Sequence, residues 1–294
     1  MTALGERSRR LLEPLRYGDL FEFPLTAAEV RRFSCIPISL EATSAALRQD
    51  PDLSERVEEK EGLFFLRGRS QLVALRRSRA ARSQLLLQRS RRLIDRVARL
   101  PFVRGVAITG SLAVENVDRA GDVDLMLLTA PDRLWTVHLP VRLLERWPRR
   151  YRLCANYYLT TRSLELPERN LFVAREILQM RPLTGAVWPA FYARNRWVHD
   201  FFPNWEGPQL DHLAQERHRP ARCESLLAGA LGDRLDRAVE RLVRWRLARN
   251  PELRGADWTD RGVILEPDRY MLHMALYQRL VPNIYEPHPN WPRA

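Results

Sequence analysis

Apolar and polar positions change rhythm several times along this chain. The stripe Leu11, Leu12, Leu15, Leu20, Phe21 predicts a first helix, which Pro24 ends. Thr26 with Glu29 three residues later is a capping-box pattern for a second helix, 27–33. Ser39 opens a third, with Leu40, Ala45, Ala46 and Leu47 on one side. Leu53–Val57 and Gly62–Leu66 then read as two strands joined by the charged turn 58–61. From Gln71 to Leu100 the pattern is one long helix without Gly or Pro. Leu86, Leu93, Val97 and Leu100 face the body there, and arginines such as Arg76, Arg79, Arg82, Arg89 and Arg96 take the other sides.

Pro101 stops that helix, and shorter apolar runs follow. Val106–Thr109, Val123–Leu128 and Leu153–Leu159 predict strands, and 111–115, 132–147 and 170–180 predict the helices between and after them. Alternating strands and helices imply an α/β layer around a small mixed sheet. Beyond Pro182 the chain reads as mainly helical. An aromatic group (Trp188, Phe191, Tyr192, Trp197, Phe201, Phe202) is followed by a linker at 208–220. A helix over 223–249 is expected to bury Leu226, Leu227, Leu231, Leu235, Val239, Leu242 and Val243, and a last helix spans 267–280 before a Pro-rich tail. The expected organisation is 1–70, a connecting helix 71–100, a core 101–184 and a helical region 185–294.

Charge sharpens this picture. The net charge of +12 comes almost wholly from arginine, since Lys60 is the only lysine. Arginine suits bidentate phosphate contact, so RNA or DNA is an expected partner, against the alternative of a merely solvated basic surface. No apolar run approaches the ~20 residues that span a bilayer, so no membrane contact is expected. Cys35, Cys154 and Cys223 are widely spaced and odd in number, which fits reduced thiols in a cytoplasmic protein, and none sits in a metal-ligand spacing.

The most informative chemistry lies where the first two core strands meet. Gly110-Ser111 closes one strand, and Asp122-Val123-Asp124 opens the next. Carboxylates at i and i+2 of a strand share a face, and paired like charges need a reason. Mg²⁺, which takes one or two carboxylates plus substrate phosphates, supplies one. A Gly-Ser turn offers backbone N–H groups to a phosphate.

This order of elements resembles the signature of the polymerase β-like nucleotidyltransferase superfamily, over about residues 102–183. The resemblance implies that Gly110 and Ser111 hold an NTP triphosphate and that Asp122 and Asp124 bind one or two Mg²⁺ ions. It also implies a third acid on a later strand, where this chain has Asn156. An amide cannot act as a general base, which leaves single-metal catalysis, a base elsewhere (Glu115, Asp118 or Glu165), or loss of activity. Asn116 and Asp118, in the loop before the acids, are candidates to bond the Gly-Ser turn or a ribose, or to cap their own loop. Residues 1–70, three helices and a hairpin, resemble a winged-helix module, although the third helix carries only Arg48 as a cation.

The expected fold class is therefore α+β, with a winged-helix-like module, a nucleotidyltransferase core and a helical C-terminal region. Transfer of NMP from an NTP to a hydroxyl of RNA, protein or a small molecule is the first functional reading. A degenerate nucleotide-sensing or DNA- or partner-binding regulator is the alternative. Oligomeric state is not legible.

Overall fold

The computed structural model describes residues 5–146, 152–208, 210, 224–251, 253, 258–259 and 262–272. Four helices come first: α1 (Glu6–Leu20), α2 (Ala27–Arg32), α3 (Leu40–Gln49) and α4 (Pro51–Ser54). Thr26 and Glu29 form the capping box of α2, and the Ser39 side chain caps α3. The hairpin β1 (Val57–Lys60) and β2 (Leu63–Leu66) follows.

Two expectations shift here. Residues 53–54 belong to α4, because Asp50 caps that turn and Pro51 sits at its first position. The charged segment 58–60 is strand, with the turn at Glu61 and Gly62, both at positive φ. Its carboxylates are held by arginines, Glu58 by Arg67 and Glu59 by Arg48, so charge does not force this segment into a loop.

Helix α5 (Gln71–Ala98) is continuous as expected, burying Leu72, Val73, Leu93, Ile94 and Val97. Its arginines serve as ties. Arg76 pairs with Glu29, Arg77 with Glu61 and Arg79 with Glu22, while Arg82 donates to the Val117 carbonyl.

The remaining elements are β3 (Val103–Ile108), α6 (Gly110–Ala113), β4 (Val123–Thr129), α7 (Leu134–Glu145), β5 (Leu153–Thr160), α8 (Leu171–Gln179), β6 (Arg181–Thr184), α9 (Trp188–Arg194), α10 (Val198–Phe201), α11 (Glu224–Leu227), α12 (Ala230–Ala248), β7 (Ile264–Glu266) and β8 (Arg269–Met271). Six strands form one mixed sheet in the order β6-β3-β4-β5-β8-β7, in which only the β4–β5 neighbours are parallel. The whole is α+β with a small mixed sheet.

Side-chain alternation gives the sheet two different faces. Val106, Ile108, Val123, Leu125, Leu127, Tyr158 and Tyr270 pack with residues of α5, α7 and α12. Ala107, Met126, Leu128, Tyr157, Leu159 and Met271 join a core that is continuous with α1, α2, α8, α9 and α10. The first 70 residues therefore share one apolar core with this second face. Asn204 reinforces the join, with its side chain bonded to the backbone of Arg31, Ile36 and Ile38.

The C-terminal region departs most from expectation. Residues 267–272 are not helix: Pro267-Asp268 turns the β7–β8 hairpin, and β8 pairs with β5. Tyr270 and Met271 alternate between the two faces, which is why a strand satisfies them and a helix does not. The rest of the expected last helix (273–280), most of the linker (211–220) and the tail lie outside the described residues. The helix expected over 223–249 breaks at Ala228-Gly229, where Arg133 donates to the Leu227 and Ala228 carbonyls. Of its expected apolar contacts, Val239 is buried and Leu227, Leu235 and Val243 pack on the core, but Leu226, Leu231 and Leu242 are 73%, 65% and 55% exposed. A further strand, β6, was hidden by Pro182, which is tolerated because it lies on a sheet edge.

Candidate functional site

Strand β3 ends at Ile108, and Gly110 then reverses the chain at φ +62°. A side chain there would place Cβ 2.6 Å from Asp124 Oδ2. Only glycine lets the turn backbone lie against that carboxylate. The Thr109 N–H donates to the Asp124 carbonyl at 3.1 Å, fixing the turn to the start of β4.

Asp124 pairs in register with Cys154 across the parallel β4–β5 ladder. One carboxylate oxygen each from Asp122 and Asp124 and the Cys154 Sγ lie within 4.8 Å of one another. Cys154 has no metal-ligand spacing along the sequence, as expected; its proximity to the two acids comes from the neighbouring strand. Asn156 is the extra residue of a bulge in β5, between the Leu125–Ala155 and Met126–Tyr157 pairs. The bulge keeps Asn156 beside Asp124, and its Nδ2 donates to Asp124 Oδ1 at 2.9 Å.

These groups line a cleft of about 730 Å³. Its floor is the face of the sheet bearing Met126, Tyr157 and Met271. One wall is the end of α1 and the segment after it, including Tyr17, Phe21 and Phe23. A second wall is α8, with Phe172 and Ile177. Most of the lining side chains are apolar, so the polar groups among them are poorly solvated.

Electrostatics follow from that burial. Asp124 has its carboxyl pushed up to about 7, by burial first and then by the charges of Asp122 and Glu176. Glu176, on α8, is also raised to about 7 by burial, partly offset by Arg175 and by a hydrogen bond from the Gly110 N–H. The Cys154 thiol is pushed up to about 12 by burial, Asp124, Asp122 and Glu145 in that order. Each of these groups is disfavoured as an anion by its surroundings in the cleft, and a bound cation would reverse that.

The other expected site residues fare differently. Gly110 and Ser111 line the cleft. Asn116 does too, but both ends of its amide are engaged: Oδ1 accepts from Arg79, and Nδ2 donates to the Phe21 carbonyl. It ties the N-terminal helices to the core. Asp118 lines the cleft while capping the Ala120 N–H. Glu115 faces Arg181 at 3.7 Å, and Glu165 pairs with Arg169; neither lines the cleft.

Sequence reasoning missed Glu176 and Cys154. For Glu176 a signal existed, since Arg175-Glu176 interrupts an otherwise apolar helix face. Arg175 is buried with its guanidinium 3.6 Å from the Tyr17 ring centroid and 3.9 Å from that of Phe33.

Comparison with family models, with curated proteins and with solved structures returns no match for this chain.

Proposed function

We propose that the protein is a divalent-cation-dependent nucleotidyltransferase. One observation carries the reading: two carboxylates converge at a strand end, against a glycine turn, inside a cleft large enough for a nucleotide. Asp122 and Asp124 offer hard oxygens to a divalent cation such as Mg²⁺ and leave further positions to water, phosphate oxygens or another side chain. Held there, the ion would neutralise triphosphate charge and align it for in-line displacement.

The chain's own residues would do the rest. Gly110 and Ser111 position the triphosphate at the turn, and apolar side chains on both cleft walls exclude water from it. An acceptor oxygen would form a bond to the α-phosphorus as the bond to the β-phosphate oxygen breaks, releasing pyrophosphate. Besides the acidic pair, four carboxylates line the cleft: Glu22, Asp118, Glu168 and Glu176. Glu22 is paired with Arg79 and Glu168 with Arg269, which leaves Asp118 and Glu176 to take the acceptor's proton.

The acceptor we favour is a small molecule or a protein hydroxyl. The two guanidiniums of the cleft are engaged, Arg79 with Glu22 and Arg175 between Tyr17 and Phe33, so a polyanion gains no contact there. In the winged-helix-like segment, Arg48 of α3 is held bidentately by Glu59, which supports a packing role over DNA reading.

A second reading, a nucleotide sensor without turnover, draws on two contacts. Asn156 already donates to Asp124, and Glu176 already takes the Gly110 N–H. Pyrophosphate release measured with each NTP, Mg²⁺ and mixed acceptors separates the two. Turnover that disappears in Asp122→Ala and Asp124→Ala supports the transferase. Binding without release supports the sensor, and full turnover in the double variant removes the cation-site reading.

A further inference from the structure

We infer that Cys154 is the third protein ligand of the cation site and makes it selective for a thiophilic divalent ion, of the Co²⁺ or Zn²⁺ kind, over Mg²⁺. This rests on the reading that Asp122 and Asp124 hold a cation, and it adds the identity of the ion.

A sulfur at about 2.3 Å and an oxygen at about 2.1 Å from one ion sit at most about 4.4 Å apart. The Cys154 Sγ and the two carboxylate oxygens lie within 4.8 Å of one another, so side-chain rotations that draw them together seat all three on one ion. The approach is built into the sheet. Cys154 is the in-register partner of Asp124 on the adjacent parallel strand, so its side chain rises from the same face at ladder distance. Asn156, the other β5 residue beside Asp124, presents its amide N–H to that carboxylate, so the contact leaves the approach to the ion to Cys154.

Ligand chemistry then decides the ion. A set of two carboxylates and water suits Mg²⁺, whereas adding a sulfur shifts preference toward softer ions. The thiol proton would be released to solvent as the metal–sulfur bond forms. The site is also half-accessible rather than sealed: Asp122, Asp124 and Cys154 are all partly exposed to the cleft, which gives an ion an entry path.

The test is a Co²⁺ titration of the full chain under reducing conditions, followed by optical absorption. The expected result is a near-ultraviolet thiolate-to-cobalt charge-transfer band that persists in a Cys35→Ser/Cys223→Ser variant and is lost in Cys154→Ser. In the same variant, Co²⁺ and Zn²⁺ affinity should fall at least ~10-fold while Mg²⁺ affinity moves far less. Circular dichroism of Cys154→Ser confirms that it folds, and Cys154→Asp serves as a second variant that should keep Mg²⁺ and lose the band. Co²⁺ bound in an Asp122-dependent way without a thiolate band overturns the role of Cys154 alone. Co²⁺ affinity unaffected by Asp122→Asn and Asp124→Asn overturns the cation site, and with it the proposed function. A band that survives Cys154→Ser assigns the sulfur elsewhere and also overturns the inference.

Discussion

The two faces of the central sheet use the same strands for opposite purposes. On the face covered by α5, α7 and α12, Trp135, His138, Tyr158 and Tyr270 interlock with ring centroids 4.9–5.8 Å apart. On the other, the upper ends of β4 and β5 present Asp124, Cys154 and Asn156 to a cleft of about 730 Å³. Adjacent residues of one strand thus belong to a packed wall and to a polar floor: Leu125 is fully buried next to Asp124. Both faces bear a cost of burial, of different kinds: among the described residues Trp135 Nε1, His138 Nδ1 and the Tyr158 hydroxyl find no hydrogen-bond partner on the covered face, whereas the cleft face gathers carboxylates.

Titration shows the same division. Asp124 and Glu176 have folded-state carboxyl groups at about 7, above their ordinary values. Ionising them costs the folded state stability as pH rises from about 4 to 7. His138 runs the other way. Burial, with a lesser part from Arg142, pushes it down to about 3, so the folded protein holds it neutral while the unfolded chain takes up a proton below about 6.5. Its contribution is fully present above that pH and is lost as pH falls toward 3.

The most severe way to break the contrast is Asp124→Asn. Turnover should fall by at least about 10³-fold in a pyrophosphate-release assay. The metal-free variant should nonetheless be more stable than the parent at pH 8, by up to about 4 kcal/mol, with the difference vanishing below pH 4. Denaturant melts at both pH values check this, and a variant that is less stable at pH 8 would show that the cleft face carries no electrostatic strain. Next in size, Trp135→Ala should cost about 3–5 kcal/mol, because its ring is fully buried on the covered face. Cation binding per folded molecule should be unchanged, and a matching loss of cation affinity would mean that the two faces are not separable.

The smallest effect is expected at His138. His138→Phe keeps a ring in the aromatic group and removes the ionisable nitrogen. The parent's loss of stability between pH 7 and 5, about 2 kcal/mol from this group, should flatten in the variant. An unchanged slope would reassign acid sensitivity to other groups.

How much of this was legible beforehand depends on where the determining forces act. Helices α2 and α3 follow from caps and α5 from apolar spacing, which are local, and β4 follows from the five apolar or β-branched positions Leu125–Thr129 after the second acid. Asp122 and Asp124 were recognisable because i, i+2 spacing on a strand fixes a shared face. The β7–β8 hairpin was not legible: Tyr270 and Met271 are strand only because β5 offers an edge that accepts them. Leu231 and Leu242 were expected inside but lie exposed, because helix periodicity marks an apolar stripe without saying how much of it a neighbour covers. The closeness of Cys154 to the acids was not legible for a related reason, since sequence spacing orders residues along the chain and this one meets them from across the sheet.

By itself, the sequence determined the elements whose causes lie within a few residues: the capped helices, the glycine turn at 110, and the paired acids on one strand face. Tertiary structure decided what stands beside them. Strand register brought Cys154 to Asp124, a bulge turned Asn156 toward the same carboxylate, and α8 carried Glu176 to the Gly110 N–H. The physical reason is range. Caps and alternation act over one to four residues, whereas ladder pairing and helix packing join residues tens of positions apart, and only the folded chain selects which ones meet.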